Sequence, residues 1–208
     1  MRRCVIIGGA PIQDYQWIRQ HLLPDDFYIF CDGGLKHRQS LQVTPDLLVG
    51  DFDSWDNPET ETETIVLPRE KDDTDTFFGV KEGVQRGFED FLLIGVIGGR
   101  FDHSLGNISA LLYLTGLGKK ALIIDDYSSM EVVSSEPCFI HDNVQYFSVL
   151  NIDGKAKGIT IKNAQYPLEN AEITWDYQYG ISNQVLPGKT AEVMTQEGCL
   201  LLVKVYRE

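Results

Sequence analysis

Two aspartates stand one residue apart in Gly50-Asp51-Phe52-Asp53-Ser54, directly after the apolar run Leu47-Leu48-Val49. In an extended chain residues i and i+2 project the same way. Asp51 and Asp53 can therefore face one cation while Phe52 turns into the core. Hard oxygen donors of this kind suit Mg²⁺, which is commonly held by one or two carboxylates together with substrate phosphate oxygens. Three further stretches share this character: Cys31-Asp32-Gly33-Gly34, Arg69-Glu70-Lys71-Asp72-Asp73-Thr74-Asp75, and Gly98-Gly99-Arg100-Phe101-Asp102-His103. Lys71 and Arg100 are the cations that would meet phosphate, Lys as a point charge and Arg with its fork. Gly33-Gly34 and Gly98-Gly99 permit close backbone approach to a ligand. Thr74 or Asp75 opens a helix, whose free N–H groups favour an anion. Taken singly, each aspartate reads as a turn former or helix cap. Taken together, seven aspartates in four such stretches read as one functional rim.

The elements that must position this rim follow from the apolar pattern. CVIIGG (4–9), FYIFCD (27–32), DLLVGD (46–51), ETIVLP (63–68), FLLIGVIGG (91–99) and ALIIDD (121–126) are short, apolar on both faces, and end in Gly, Asp or Pro. Such runs suit buried parallel strands. Between them, 74–88 keeps Phe77, Val80, Val84 and Phe88 at helical spacing, and 104–118 keeps Leu105, Ile108, Leu111 and Leu112 on one face. In a parallel α/β sheet, ligands bind beyond the carboxyl ends of the strands, where all four acidic stretches stand. After about residue 130 the texture changes to alternating segments such as QYFSVLNI, KGITIKNA and CLLLVKVY, separated by Gly, Pro and Asn turns. That is antiparallel β. The expected fold is an N-terminal Rossmann-like parallel-sheet domain over 1–130, followed by an antiparallel β-sandwich over 131–208. The polar stretch 126–136 is the boundary.

A net charge of −13 argues against a nucleic-acid partner, because phosphate backbones require a Lys/Arg surface. It also means that a bound phosphate must be neutralised locally. No apolar run is long enough to span a bilayer, and no signal peptide is evident. Cys4, Cys31, Cys138 and Cys199 form no CxxC and read as reduced thiols of a cytoplasmic protein. Pro187-Gly188-Lys189-Thr190 lacks the first glycine of a phosphate-binding loop and reads as a turn. Neither GxGxxG after the first strand nor a GxSxG elbow is present.

The segments DGG (32–34), GDFDS (50–54), KDDTDT (71–76) and GGRFDHSLGN (98–107), in that order and at strand ends, resemble the thiamine pyrophosphokinase family. The resemblance covers nearly the whole chain and is tightest in the first domain. It implies a Mg²⁺-dependent homodimer that transfers diphosphate from ATP to the thiamine hydroxyl, giving thiamine diphosphate and AMP. Each active site would lie between the α/β domain of one subunit and the β domain of the other. Carried over residue by residue, Asp51, Asp53, Asp72 and Asp75 would hold the metal. Asp32, Lys71, Thr74, Arg100, His103 and Asn107 would meet ATP. Asp75, Asp102, Ser182 and Asn183 would meet thiamine. Asp51, Asp53, Asp75, Arg100 and Asp102 form the catalytic set, with Asp75 or Asp102 accepting the hydroxyl proton. Gln184 stands where many members carry Glu, and Trp175, Tyr177 and Tyr179 are candidates for an aromatic that stacks on thiamine. The alternatives are a diphosphokinase acting on a pterin alcohol, a non-catalytic nucleotide or thiamine sensor, and a DxD glycosyltransferase. The thiamine-type β domain disfavours the first, and the intact carboxylate set disfavours the sensor.

Overall fold

The computed structural model describes residues 2–52, 62–68, 70 and 72–207, and the chain forms two compact units, Met1–Asp126 and Tyr127–Glu208. The first unit contains strands β1 (Cys4–Ile7), β2 (Phe27–Cys31), β3 (Leu47–Gly50), β4 (Glu63–Val66), β5 (Asp90–Ile94) and β6 (Lys120–Ile124). They lie in the order β4-β3-β2-β1-β5-β6, and every neighbouring pair is parallel. The order reverses between β1 and β5, the point where a doubly wound sheet opens a crevice at its carboxyl edge. β1 and β3 are buried at every residue, as their apolar sequences require, whereas edge strand β4 leaves Val66 exposed.

Among the described residues four α-helices accompany this sheet: α1 (Tyr15–Arg19), α2 (Arg38–Leu41), α3 (Asp75–Gln85) and α4 (Phe101–Gly116). A 3-10 segment over Asp32–His37 leads into α2. α3 meets the sheet through Gly79, Val80 and Gly83, not chiefly through the larger apolar residues that set its periodicity. A Cβ at Gly79 would stand 2.9 Å from Cys31 Sγ, and one at Gly83 would stand 2.7 Å from Phe91. The helix therefore packs too closely for side chains there, and Phe77 stacks sideways on Tyr113 of α4 at 5.3 Å. α4 buries Ser104, Asn107, Ala110, Leu111 and Leu114, while Leu105 is exposed. Its inner face is turned from the one expected from leucine spacing, because its first turns serve a loop by hydrogen bonds instead of a core by apolar contact.

The second unit is all strand: β7 (Ser128–Val133), β8 (Cys138–His141), β9 (Tyr146–Asn151), β10 (Lys155–Lys162), β11 (Leu168–Thr174), β12 (Thr190–Met194) and β13 (Leu200–Val205). β13 runs antiparallel between β7 and β9, and a second antiparallel sheet has the order β11-β10-β12-β8. Phe147, Val149, Ile159, Ile161, Ile173, Val193, Leu200 and Leu202 from the two sheets share one core, which makes this unit a sandwich. β7 occupies the stretch read from sequence as a polar boundary. Its Ser128 and Ser129 are buried, and pairing with β13, not apolar content, gives it strand geometry.

Candidate active site

A cleft of about 410 Å³ opens at the carboxyl ends of β1, β2, β3 and β5. Gly9, Gly33, Gly95, Gly98 and Gly99 are part of its lining, and the strand ends beside it pack tightly. A Cβ on Gly34 would lie 2.2 Å from Ile7 O, one on Gly50 would lie 2.8 Å from Asp32 Cβ, and one on Gly95 would lie 2.6 Å from Gly8 O. Gly34 and Gly95 thus meet the backbone at the end of β1, Gly50 meets the Asp32 side chain, and only glycine fits at each. Asp32 and Phe52 take positive φ, 28° and 51°, which costs non-glycine residues energy and marks places where the surroundings dictate the turn. Strand geometry ends at Gly50, and Phe52 is buried in the core as its apolar ring demands.

Of the residues singled out from sequence, Asp32, Asp51, Thr74, Asp75, Arg100, His103 and Asn107 all line this cleft. Asp53 and Lys71 lie outside the described residues. Asp72 is exposed and is not part of the lining, and neither is Asp102. Thr74 caps α3, its Oγ1 accepting the Phe77 N–H at 3.2 Å, so the helix begins at the cleft with Asp75 in its first turn. Arg100 donates to Asp102 in a forked pair, Nε to Oδ1 at 3.1 Å and Nη2 to Oδ2 at 2.5 Å. The hydrogen bonds from Arg100 hold the Asp102 carboxyl down at about 2, and the same contact raises the Arg100 guanidinium. Both side chains are exposed, so the pair is a positional fact more than a stabilising one. The loop before α4 is tied to that helix. Ser104 Oγ accepts the Gly98 N–H at 2.9 Å and donates to Arg100 O at 3.1 Å, while Asn107 Nδ2 donates to Val96 O at 2.7 Å.

Sequence reasoning passed over the wall formed by Gly9, Ala10 and Pro11. The signal was present as Gly8-Gly9-Ala10-Pro11 after the first strand, but it reads equally well as a plain turn. Ser104 was also missed, since a serine inside a helical stretch carries no distinctive mark.

Within the β unit, Asn183 is buried and its side chain is engaged: Oδ1 accepts the N–H groups of Tyr166 and Gln184, and Nδ2 donates to Tyr166 O. Its backbone also exchanges both hydrogen bonds with Phe147. Ser182 beside it is exposed, with φ of 57°. Trp175, Tyr177 and Tyr179 are all exposed, and the two tyrosine rings stand 5.1 Å apart. Among the described residues no group of three or more His, Cys, Asp or Glu side chains is assembled for a metal ion.

Residues 18–123 match the family described as thiamin pyrophosphokinase, catalytic domain, and residues 139–200 match thiamin pyrophosphokinase, vitamin B1 binding domain. A thiamine pyrophosphokinase of Bacillus subtilis is 24% identical over 98% of this chain and 99% of its own length. Thiamin pyrophosphokinase 1 of Caenorhabditis elegans is 21% identical over 99% of this chain and 89% of its own. Among solved structures, the Bacillus subtilis enzyme superposes with a TM-score of 0.88 at 22% identity, covering both chains fully. That of Geobacillus thermodenitrificans gives 0.85 at 23% identity, over 99% of this chain and 98% of its own.

Proposed function

The chain belongs to the thiamin pyrophosphokinase family, and from that premise we propose how its residues divide the work. The reaction is transfer of diphosphate from ATP to the hydroxyl of thiamine, leaving AMP. One observation carries the assignment of roles: Asp32, Asp51, Asp75 and Arg100 converge on one glycine-lined cleft at the switch point of the sheet. The cleft holds the triphosphate of ATP, its glycine backbone admitting phosphate oxygens closely and the α3 N-terminus favouring their charge. Arg100 faces the charge that shifts toward the departing AMP oxygen.

The donor set at the cleft fits Mg²⁺. Asp51 and Asp75 offer hard oxygens without competing thiolates, and this ion takes its remaining ligands from phosphate and water, so a compact all-protein cluster is not required. Asp53, and Asp72 on the approach to α3, complete the proposed ligand set. When bound, the ion supplies neutralisation of the phosphate charges in an acidic protein. The thiamine oxygen forms its bond to the β-phosphorus as the bond from that phosphorus to the AMP oxygen breaks, and the hydroxyl proton passes to a carboxylate. We assign that proton to Asp75, not Asp102. Asp75 lines the cleft, whereas Asp102 lies outside the lining and is held strongly acidic by Arg100, which makes it a poor acceptor. His103, Asn107, Thr74 and Lys71 complete the ATP contacts.

Thiamine is met from the β unit. Ser182, exposed at a left-handed turn, is the contact, with Asn183 as the buried anchor that holds it. A thiazolium cation over the exposed ring of Trp175, Tyr177 or Tyr179 would gain cation–π attraction. The working unit is a homodimer, which is supported by the large apolar side chains exposed on both units, among them Phe101, Ile181 and Trp175. All four cysteines are free thiols, in keeping with a cytoplasmic protein. The test is direct: purified protein with thiamine, ATP and Mg²⁺ yields thiamine diphosphate and AMP, and EDTA abolishes both. AMP formed only with another alcohol acceptor would keep the phosphate site and reject thiamine.

A further inference from the structure

The segment Gly8–Asp14 leaves β1 without entering a helix, yet Gly9, Ala10 and Pro11 form one wall of the cleft. A loop in that position needs external ties, and it has them. Ala10 N donates to Gly95 O at 2.7 Å. The Asp126 carboxylate accepts the N–H groups of Gln13 at 3.0 Å and Asp14 at 2.9 Å. Lys36 Nζ donates to Gly9 O. The remaining tie comes from a side chain with no role so far. His37 is 2% exposed, its Nε2 stands 2.9 Å from Ala10 O, and its Nδ1 stands 2.8 Å from Tyr15 Oη.

The tautomer follows from the partners. A carbonyl oxygen only accepts, so Nε2 carries the hydrogen. In a neutral ring Nδ1 then accepts from the Tyr15 hydroxyl. The ring is thus oriented from behind and aims one N–H at the cleft wall, as an outer partner fixes the ring of a ligating histidine. Burial lowers the His37 pKa, which keeps the ring neutral.

Resting on the nucleotide reading of the cleft, we propose that His37, oriented by Tyr15, is a positioning residue that holds the Ala10 carbonyl and with it the Gly9–Pro11 wall in the form that receives ATP. It touches no reacting atom. Its signature is therefore a change in nucleotide affinity without a matching change in thiamine affinity.

The test uses the full-length protein with Mg²⁺ and α,β-methylene-ATP, titrated by calorimetry, alongside KM values for both substrates. His37→Leu should weaken nucleotide binding about tenfold, the equivalent of one buried hydrogen bond of roughly 1.4 kcal/mol. The KM for thiamine should stay unchanged. His37→Gln carries an N–H of similar reach and should recover most of the affinity, and Tyr15→Phe should fall between the two. A His37→Leu protein that binds as tightly as wild type overturns the assignment, as does a Gln variant no better than Leu. If His37→Leu does not fold, Tyr15→Phe against wild type decides: weaker nucleotide binding supports the assignment and equal binding overturns it. Wild-type protein that fails to bind the analogue would overturn the nucleotide reading itself, a result separable from failure of the variants alone.

Discussion

In the first unit the cleft opens where four parallel strands end, and glycines share its lining with charged and polar side chains drawn from distant parts of the chain. In the second unit the polar and aromatic candidates sit in turns of an antiparallel sandwich, with Asn183 already committed to its own neighbours. The two arrangements place different demands on sequence. Parallel topology delivers every strand terminus to one edge, so the chemistry of that edge is common property of distant residues. A sandwich turn carries only its own few residues, and which of them meets a ligand depends on what lies opposite. A site built on backbone should tolerate loss of one polar side chain in shape but not in charge, whereas a site built on turns should lose substrate affinity one contact at a time.

The largest effect should come from charge in the cleft. Asp51→Asn is expected to lower kcat by about a hundredfold to a thousandfold, the scale of a lost electrostatic partner in a transition state. Its Tm should stay near wild type, because Asp51 is only half-buried at a strand end. Steady-state kinetics with a thermal melt checks both, and near-normal turnover would remove Asp51 from the reaction.

Next comes the glycine packing of each unit. Gly34→Ala would press a methyl group to 2.2 Å from Ile7 O, and Gly198→Ala in the β unit would press one to 2.4 Å from Lys155 O at a φ of +79°. Each should cost about 1–3 kcal/mol, or roughly 2–12 °C of Tm for a chain of this size. The two should part on function, with Gly34→Ala also losing nucleotide affinity and Gly198→Ala keeping it. Equal loss in both would break the contrast between the units.

A smaller effect is expected at Ser182→Ala, where one exposed contact should raise the KM for thiamine about fivefold and leave that for ATP unchanged. The smallest effect is in pH. His21 and His37 both have pKa values lowered from 6.5, chiefly by burial. The unfolded chain therefore binds more protons than the folded one just below that pH. Stability is full above about 6.5 and falls as pH drops toward the lowered folded values. Urea midpoints at pH 7.5 and pH 5.5 should differ in that direction, and the difference should shrink in His37→Gln. Asp102 behaves separately. Its carboxyl should titrate near 2 by NMR and return toward 3.8 in Arg100→Leu, since the paired guanidinium is what holds it down.

Much of the first unit was legible because its strands are apolar on both faces and end in glycine or acid. All six read from sequence are present, five within two residues of the bounds expected and the fifth ending at Ile94 instead of running to 99, and Asp32, Asp51, Asp75 and Arg100 line the cleft at their ends. The buried face of α4 was not legible, since Ser104 and Asn107 point inward to hold a loop, a task that leaves no apolar period. β7 was hidden by buried serines, and the Gly9–Pro11 wall by the ordinariness of its residues. His37 stood in a polar run, Lys36-His37-Arg38, where nothing in the chain announces that only the middle residue is buried.

The Asp126 carboxylate that clamps Gln13 and Asp14 spans a sequence separation of 113 residues on its bond to Gln13. During synthesis on the ribosome the N-terminal strand emerges first, but its β5 neighbour arrives only with residues 90–94. The clamp arrives later still, with the last residue of the unit. The Gly9–Pro11 wall is consequently among the last parts of the unit to set, and a chain that stops just short of Asp126 carries all six strands of the unit but lacks the carboxylate that ties this loop.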